Sequence, residues 1–491
     1  MLTPLLIALT LYIPAEAGPE TGPPRAAVER ALTALAADPV FKGLDLGANV
    51  RCEGAPLGAV NGDKLLYPAS SAKLLSTAAA LTTLPLDHRF TTAVVGEVRG
   101  QTLENAALVA GGDPTLTVEQ LEDLAAQVKA LGVTRIDTLT IDLGHFSAPT
   151  TAPGFDQKNT DAAYRPEVAS LAVHSAAIMV TARPGAKVGD PVRVTIGPVA
   201  AGVRIDSTAK TVDGKRIDRL VIETRADKDG TRVVVSGELG VKAPPQGVKK
   251  RLFGAAFVAA QTFRKALENR GVPVSNLAFA AARPKLPILA KVQSAPIPAI
   301  AAQINKTSNN FMAESLFLQL GARLPGERGA TWEQAQKRTM DALTALGLSA
   351  GSFEIVNGSG LYEATRVSAA GLATLLAALD PKRTTATPTA EARLAFWDSL
   401  AIAGTDGTLS HRLKGLEKLA RGKTGTLDKA ISLSGYVDHP RCRLAFAVIV
   451  NGAMNKTQGK VVARLDQLVR ELAGVEKPSK GRADGKPKRR K

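Results

Sequence analysis

The predicted secondary structure of this 491-residue chain changes from mixed helix and strand to β-rich, and then back to mixed. This order restricts the fold more than any single motif does. Two strand-like runs, 47–56 and 57–68, lie near the start, and three more lie within 419–452. Between them, short alternating runs bounded by turns fill 91–287, which indicates a β-rich region. The outer runs can form one sheet only if the two ends of the chain meet. We therefore predict an α+β fold, with a five-stranded antiparallel sheet flanked by helices and a large β-rich inserted domain.

The domain bounds that follow are 25–90 and 288–475 for the two parts of the split domain and 91–287 for the insertion. Helical spacing predicts helices near 118–131 and 255–270 inside the insertion. After it, helical patterns return at positions 298–322, 367–380, 393–402 and 460–474. We expect the insertion to shape a cleft as a lid or spacer; a separate binding module is the alternative.

The first 17 residues have the features of a secretory signal. An apolar run at 5–13 is followed by a small-x-small cleavage pattern at 15–17. No Lys or Arg precedes the run, so an N-terminal helix that packs on the domain is the alternative. We predict an exported, periplasmic protein. No other stretch approaches the ~20 apolar residues of a membrane helix, so no transmembrane anchor is expected.

The chain is strongly basic, with a formal net charge of +17 at pH 7. Its last sixteen residues, 476–491, contain eight Lys or Arg, two acidic residues and almost no apolar side chain. Such a segment cannot bury a core, so we predict a disordered basic tail. Anionic cell-wall polymers or lipid headgroups are its expected partners in an exported protein, and solubility alone is the alternative. Nucleic acid is not expected.

Cysteine and histidine usage restricts the chemistry. The two cysteines, Cys52 and Cys442, are compatible with one disulfide in an oxidising compartment and too few for a disulfide scaffold. The five histidines are scattered and have no zinc-ligand spacing. We therefore predict no metal site and no histidine-based catalytic triad.

Ser70 and Lys73 stand at the start of a predicted helix, in the run PASSAK. Their i, i+3 spacing places them on one helix face, and the positive end of the helix dipole stabilises an alkoxide at Ser70. A neutral lysine there can take the serine proton if burial or other cations lower the lysine pKa. A Ser-x-x-Lys run is expected about once by chance in such a chain, so a helix cap followed by a surface lysine is the alternative.

Two further short motifs follow at a distance along the chain. Ser308 can relay a proton, and the Asn310 amide can bind both a lysine and a substrate carbonyl, although such clusters also cap helices. Lys423, Thr424 and Gly425 stand at the start of a predicted strand. A cation there can hold a carboxylate, and a glycine lets a ligand approach the backbone; a basic turn is the alternative.

Taken in this order, the three motifs resemble the Ser-x-x-Lys, Ser-x-Asn and Lys-Thr-Gly motifs of penicillin-binding proteins and serine β-lactamases. The surrounding runs narrow the resemblance: PASSAKLLSTAAAL, GGDPTL, INKTSNN, GTDGTL, KTGTL and LSGYV. They are similar to the class C low-molecular-mass penicillin-binding proteins of the penicillin-binding protein 4 type. Those proteins are D-alanyl-D-alanine carboxypeptidases/endopeptidases. The similarity includes the large insertion, which β-lactamases lack.

The resemblance implies a serine transpeptidase/β-lactamase-like domain and a role for each catalytic position. Ser70 corresponds to the acylated nucleophile and Lys73 to its general base. Ser308 corresponds to the proton relay toward the leaving group, and Asn310 to the amide that orients the substrate. Lys423, close to the general base, gives a physical reason for a lowered lysine pKa.

The same resemblance implies the groups that bind substrate. Lys423, Thr424 and Gly425 correspond to the strand that binds the terminal carboxylate. The backbone N–H groups of Ser70 and Thr426 correspond to the oxyanion hole. The implied partners are peptidoglycan stem peptides and β-lactam antibiotics, with no cofactor.

One loop departs from the family pattern. Residues 357–363 are NGSGLYE where relatives have DGSGLSR, so Glu363 replaces an arginine near the side-chain end of the substrate. An acidic residue there would repel a free carboxylate, which leaves the preference for diaminopimelate-type stems open. The same loop keeps a second interpretation, a catalytically silent cell-wall-binding protein, open. A β-lactamase is a third interpretation, against which the insertion argues.

The implied fold also bears on the cysteines. It would place the strand with Cys52 in the same sheet as the strand that starts near Cys442. A disulfide between the two is therefore a hypothesis.

Overall fold

The computed structural model describes residues 24–198, 201–228, 230–281, 285–322, 328–454 and 457–474. The predicted export signal at 1–17 and the predicted basic tail at 476–491 lie outside the described residues. No helix within the described ranges combines the length and the apolar character that crossing a bilayer requires.

The helices of these ranges, numbered α1 to α10, are Arg25–Ala36, Lys73–Thr83, Val118–Ala130, Ala255–Glu268, Ile297–Thr307, Asn310–Gln319, Trp332–Ala345, Ala369–Ala378, Ala390–Ser399 and Gln458–Leu472. The strands, numbered β1 to β20, are Asp45–Cys52, Ala55–Val60, Thr91–Arg99, Thr102–Ala110, Ile136–Asp142, Ala177–Arg183, Arg193–Gly197, Val203–Ser207, Lys210–Val212, Leu220–Asp227, Gly230–Gly240, Gln246–Arg251, Val274–Ala280, Ile288–Gln293, Phe353–Glu354, Arg366–Val367, Ala401–Ile402, Ala420–Leu427, Ala430–His439 and Cys442–Asn451. The helices predicted near 118–131, 255–270 and 460–474 are α3, α4 and α10, so these three predictions are confirmed.

Strands from both ends of the chain form one antiparallel sheet, in the order β17-β18-β19-β20-β1-β2. Strand β1 pairs with β20 from Asp45 opposite Asn451 to Cys52 opposite Leu444. The predicted α+β fold, in which distant parts of the chain share a sheet, is therefore confirmed. The structure adds a sixth strand at the edge, β17, whose two residues are too few to give a periodic signal.

Strand β20 shows why the centre of this sheet is a continuous apolar run rather than an alternating one. One set of its side chains joins a core with α1 and α10: Leu444, Phe446, Val448 and Val450. The alternate set joins a second core with α2, α6 and α8: Ala445, Ala447 and Ile449. A strand covered on both faces needs apolar residues at every position.

The region between the two parts of the sheet has its own architecture. It contains the sheets β13-β5-β4-β3-β14, β10-β11-β8 with β9 beside β11, and β12-β6-β7. A third core, which includes Leu124, Ile141 and Phe263, lies beneath α3 and α4. Because β14 pairs antiparallel with β3, the chain enters and leaves this region side by side. The division at 91–287 stays a prediction, which we propose to extend to Gln293, the end of β14.

The helical pattern at 298–322 is divided in the structure. Helix α5 ends at Thr307, Ser308 takes a left-handed conformation with φ of 59°, and α6 begins at Asn310. The side chain of Asn309 caps α6 by accepting a hydrogen bond from the Met312 N–H. The helical pattern at 298–322 is therefore two helices and not one, because the Ser-Asn-Asn cluster supplies both a helix stop and a new N-cap, as the helix-cap alternative for that cluster predicts.

The two cysteines lie at neighbouring ends of β1 and β20. The structure joins Cys52 and Cys442 in a disulfide, with their Cα atoms 6.2 Å apart. This spacing is within the usual range for a disulfide. The bond ties together two segments that are 390 residues apart in sequence.

We expect thiol titration of the denatured, unreduced protein to find no free thiol. Because the closed loop is long, the C52S/C442S variant should lose about 2–4 kcal/mol of unfolding free energy, measured by urea denaturation. Two titratable thiols in the unreduced wild type would contradict the pairing.

Candidate active site

The Ser70 hydroxyl lies directly over the amine of Lys73. Residues Ala69–Ala72 form a 3₁₀ turn, and the α-helix begins only at Lys73. In a 3₁₀ turn the side chains at i and i+3 lie one directly above the other, whereas in an α-helix they are offset. Lys73 Nζ donates to Ser70 Oγ at 3.0 Å. The predicted contact between the two side chains is present, but through a 3₁₀ turn rather than an α-helix.

Lys73 has two more acceptors and no exposure to solvent. Its Nζ donates to Asn310 Oδ1 at 2.6 Å and to the Ser359 carbonyl oxygen at 2.8 Å. The side chain is completely buried. Burial lowers the pKa of Lys73 to about 7, and the charge of Glu314 acts in the opposite direction. Burial, one of the two causes that the sequence indicated, is therefore the main cause of the lowered pKa of Lys73, and Lys423 is not.

The other two motifs meet on the opposite side of the Ser70 turn. Lys423, on β18, donates through Nζ to Ser308 Oγ at 3.0 Å and to the Thr424 carbonyl oxygen at 2.8 Å. Lys423 is also completely buried. Burial, and then the charge of Lys73, lowers its pKa well below the ordinary value. A hydroxyl at the break between α5 and α6 thus lies next to a lysine held on the sheet.

Strand β18 reaches the Ser70 turn because Gly425 has no side chain. A Cβ at this position would lie 2.3 Å from Ser432 Oγ and 2.5 Å from the Pro68 carbonyl oxygen. Ser432 Oγ itself donates to Pro68 O at 2.6 Å, and Ser71 Oγ lies 2.8 Å from it. Gly425 therefore allows close packing of the strand against the turn, and the approach of a ligand to its backbone stays a prediction.

Sequence reasoning missed two contributors to the site. Glu314, one helical turn after Asn310, is completely buried and accepts hydrogen bonds from the backbone N–H groups of Gly358 and Ser359. Its signal was an acidic residue inside an otherwise apolar helix. The insertion supplies the Tyr164 carbonyl oxygen, which accepts from Asn310 Nδ2 at 2.6 Å. A backbone carbonyl leaves no signal in the sequence.

A cavity of about 440 Å³ opens in front of these groups. Ser70, Ser308, Asn310 and Thr426 line its inner part, whereas Lys73 and Lys423 are buried behind it. Its outer part is lined by residues of the insertion and the two flanking loops: Gln157, Lys158, Tyr164, Leu361, Tyr362, Glu363, Leu427, Asp428, Lys429, Ala430 and Gln458. Within the described ranges, no group of three or more His, Cys, Asp or Glu side chains could hold a metal ion.

A serine that contacts a lysine instead of a histidine, on an antiparallel sheet with helices on both faces, defines a class of protein. It is the class of serine acyl-transferring enzymes that includes the penicillin-binding proteins. The chain belongs to the D-Ala-D-Ala carboxypeptidase 3 (S13) family, whose sequence pattern matches residues 28–472. It is therefore a serine-type D-Ala-D-Ala carboxypeptidase, and the family resemblance of its motifs is confirmed.

Individual relatives agree with this assignment. The D-alanyl-D-alanine carboxypeptidase of Actinomadura sp. (strain R39) is 30% identical over 476 residues, which cover 92% of this chain and 86% of that protein. The crystal structure of penicillin binding protein 4 (dacB) from Haemophilus influenzae matches with a TM-score of 0.77 at 23% identity, over 91% of this chain and 98% of that one. The same protein complexed with a β-lactam matches with a TM-score of 0.73 at 21% identity, over the same shares. These structural matches establish the fold.

We expect Gly425→Ala to destabilise the protein by about 1–3 kcal/mol, because the added methyl group has no room between Ser432 and Pro68. Urea denaturation measures the effect. Gly459→Ala is the matched control, since a Cβ at Gly459 in α10 meets nothing within 4 Å. The control should be neutral or stabilising by up to ~1 kcal/mol. Equal stability of the two variants would contradict the packing role of Gly425.

Proposed function

We propose that the enzyme cleaves the D-Ala-D-Ala bond of peptidoglycan stem peptides through an acyl-serine intermediate on Ser70. The observation that carries the proposal is the 3.0 Å contact between Ser70 Oγ and the fully buried amine of Lys73. An amine with a pKa of about 7 is substantially neutral at physiological pH, so it can accept the serine proton.

In the acylation step, Ser70 Oγ forms a bond to the carbonyl carbon of the penultimate D-alanine while its proton passes to Lys73. The N–H groups of Ser70 and Thr426 stabilise the oxyanion. The C–N bond then breaks, and the proton held by Lys73 passes by way of Ser308 to the leaving amine, which leaves Lys73 neutral again. Lys423 donates to Ser308 Oγ and orients that hydroxyl. D-alanine departs. In the second step a water molecule adds to the acyl carbon, Ser70 regains its proton, and the shortened peptide is released.

Asn310 is oriented to bind the substrate amide. Its Oδ1 accepts from Lys73, and one of its Nδ2 hydrogens goes to the Tyr164 carbonyl oxygen. An amide NH₂ has two hydrogens, so the second is free for a substrate carbonyl. The terminal carboxylate of the substrate is expected along β18, where the Thr424 hydroxyl donates to Thr408 Oγ1 at 2.8 Å and the Lys423 amine donates to the Thr424 carbonyl oxygen at 2.8 Å.

The outer part of the cavity offers both signs of charge to the rest of the stem peptide. Lys158 pairs with Asp428, and Lys429 lies 3.6 Å from Glu363. Glu363 alone would repel a carboxylate, but Lys429 beside it offsets this repulsion. Two cations and two acids around one opening favour a stem peptide with a side chain that ends in both an ammonium and a carboxylate group.

Further parts of the proposal follow from this chemistry. A β-lactam presents a strained amide to the same serine, so penicillin should acylate Ser70, in line with the β-lactam complex of the Haemophilus influenzae relative. A cross-link between stems contains the same type of bond, so the proposal includes endopeptidase activity.

Because peptidoglycan is outside the cytoplasm, we also propose export to the periplasm through the segment 1–17.

We expect fluorescent penicillin to label the purified wild type and to leave Ser70→Ala unlabelled. Ser71→Ala is the matched control, since Ser71 is the neighbouring serine, bound to Ser432 away from Lys73. It should label as the wild type does. Persistence of the label separates a peptidase from a β-lactamase, because a β-lactamase deacylates rapidly. A folded wild type that stays unlabelled would favour the catalytically silent, cell-wall-binding interpretation.

We expect Glu363→Gln to change substrate preference, because it leaves Lys429 without its acidic neighbour. The ratio of kcat/KM for a stem peptide with a free carboxylate on its third side chain to that for a lysine-containing stem should rise by roughly 2- to 5-fold, as for a partly exposed charge. Glu354→Gln, which removes an acid paired with Arg366 outside the cavity, is the control. An unchanged ratio would contradict charge recognition by the outer cavity.

A further inference from the structure

Glu314 is a completely buried carboxylate beside the reacting groups, and the mechanism above does not use it. It lies on α6, four residues after Asn310, so both side chains project from the same helix face. Most of its neighbours on α6 are apolar and buried. A buried acid is costly unless hydrogen bonds and a nearby cation stabilise its charge. The contacts of Glu314 must therefore stabilise its charge.

Both carboxylate oxygens of Glu314 bind one short turn. Oε2 accepts from the Gly358 N–H at 2.9 Å, and Oε1 accepts from the Ser359 N–H at 2.8 Å. The carbonyl oxygen of the same Ser359 accepts from Lys73 Nζ at 2.8 Å. Ser359 thus links the two side chains, since its N–H binds Glu314 and its carbonyl oxygen binds Lys73. The turn is held on its other side by Ser76, whose Oγ donates to the Gly358 carbonyl oxygen at 2.9 Å.

The turn packs so closely on α6 that it cannot shift without disturbing Glu314. A Cβ on Gly358 would lie 2.6 Å from Phe317 Cβ and 2.8 Å from the Ala313 carbonyl oxygen. The Ser359 carbonyl is therefore fixed relative to α6. Because Lys73 takes one of its three acceptors from this carbonyl, α6 determines where the lysine amine lies relative to Ser70.

The charges of Glu314 and Lys73 also affect each other. The ionisable groups that face the Lys73 amine are Glu314 from α6 and Lys423 from β18. Burial lowers the pKa of Lys73, and Glu314 counteracts part of that effect. Burial raises the pKa of Glu314, against which the two backbone N–H groups and Lys73 act. Each partner thus favours the charged form of the other, so the acid keeps the lysine more basic than burial alone would leave it.

We propose that Glu314 is a positioning residue that acts through Lys73. Its carboxylate fixes the Gly358–Ser359 turn, and through it the lysine amine, and its charge stabilises the lysine ammonium that forms when Ser70 is acylated. This inference rests on the proposed function, in which Lys73 takes the Ser70 proton.

The test compares the rate of acylation by fluorescent penicillin across pH 5 to 9 for wild type, Glu314→Gln and Ser76→Ala. In the wild type the rate should rise with pH through about 7, as Lys73 loses its proton. Glu314→Gln removes the negative charge, so this rise should move to lower pH by about one unit or more. Its plateau rate should fall by roughly tenfold or more, because the lysine is a weaker base. Ser76→Ala loosens the same turn without changing charge, so it should lower the rate and leave the midpoint unchanged.

An unchanged midpoint in Glu314→Gln, with wild type normally acylated, overturns the proposal and leaves the acyl-serine mechanism intact. Absence of acylation in the wild type would instead contradict the mechanism itself. A second comparison needs neither activity nor a folded Glu314→Gln variant. Lys73→Met removes the cation but leaves the bonds of Glu314 to the turn. Glu314→Gln should therefore lower the melting temperature less in the K73M background than in the wild type, and failure of E314Q alone to fold counts as the larger loss. A loss in the K73M background as large as that in the wild type, or a K73M/E314Q double variant that does not fold, shows that Glu314 acts without Lys73 and overturns the proposal.

Discussion

Two lysine side chains, Lys73 and Lys423, are buried completely beside one serine, and the rest of the site follows from that constraint. Each buried amine requires hydrogen-bond acceptors, and the charge of Lys73 further lowers the pKa of Lys423. The protein supplies side-chain and backbone oxygens as acceptors, from Ser70, Asn310 and Ser359 for one lysine and from Ser308 and Thr424 for the other. These acceptors offset part of the cost of burial, which lowers the pKa of Lys73 to about 7, so a large fraction of the amine is neutral near physiological pH without any histidine.

The architecture brings those acceptors together from segments far apart in the chain. Pairing of β1 with β20 brings the Ser70 turn and the Lys423 strand into one domain across the whole insertion. The close fit then depends on positions without a side chain: at Gly360 a Cβ would lie 2.1 Å from the Ala69 carbonyl oxygen, and at Gly425 it would collide with Ser432. The same constraint that buries the lysines therefore requires glycine where the loop and the strand meet the turn.

The sequence predicts the parts of this arrangement that are encoded locally. The sheet and helices α3, α4 and α10 follow from periodicity, and the three motifs follow from spacing and family resemblance. The break at Ser308 was missed because a long helical pattern continues on both sides of it. The contribution of Glu314 could not be predicted, because it depends on a turn more than forty residues away in the chain. Local pattern thus identifies the motifs, whereas long-range contacts determine the electrostatics.

The insertion belongs to the site and not only to its surroundings. Its Tyr164 carbonyl orients the Asn310 amide, and its Ser175 hydroxyl accepts from Asn309 Nδ2 at 2.8 Å, so both asparagines of the second motif are held by it. Ser175 lies in a run of three left-handed residues, 174–176, with φ of 51°, 62° and 52°. Such backbone costs about 1–3 kcal/mol per residue and persists only where the surrounding structure imposes it. Because these contacts hold the motif whose Asn310 binds Lys73, a role in shaping the cleft accounts for the insertion better than a separate binding module does.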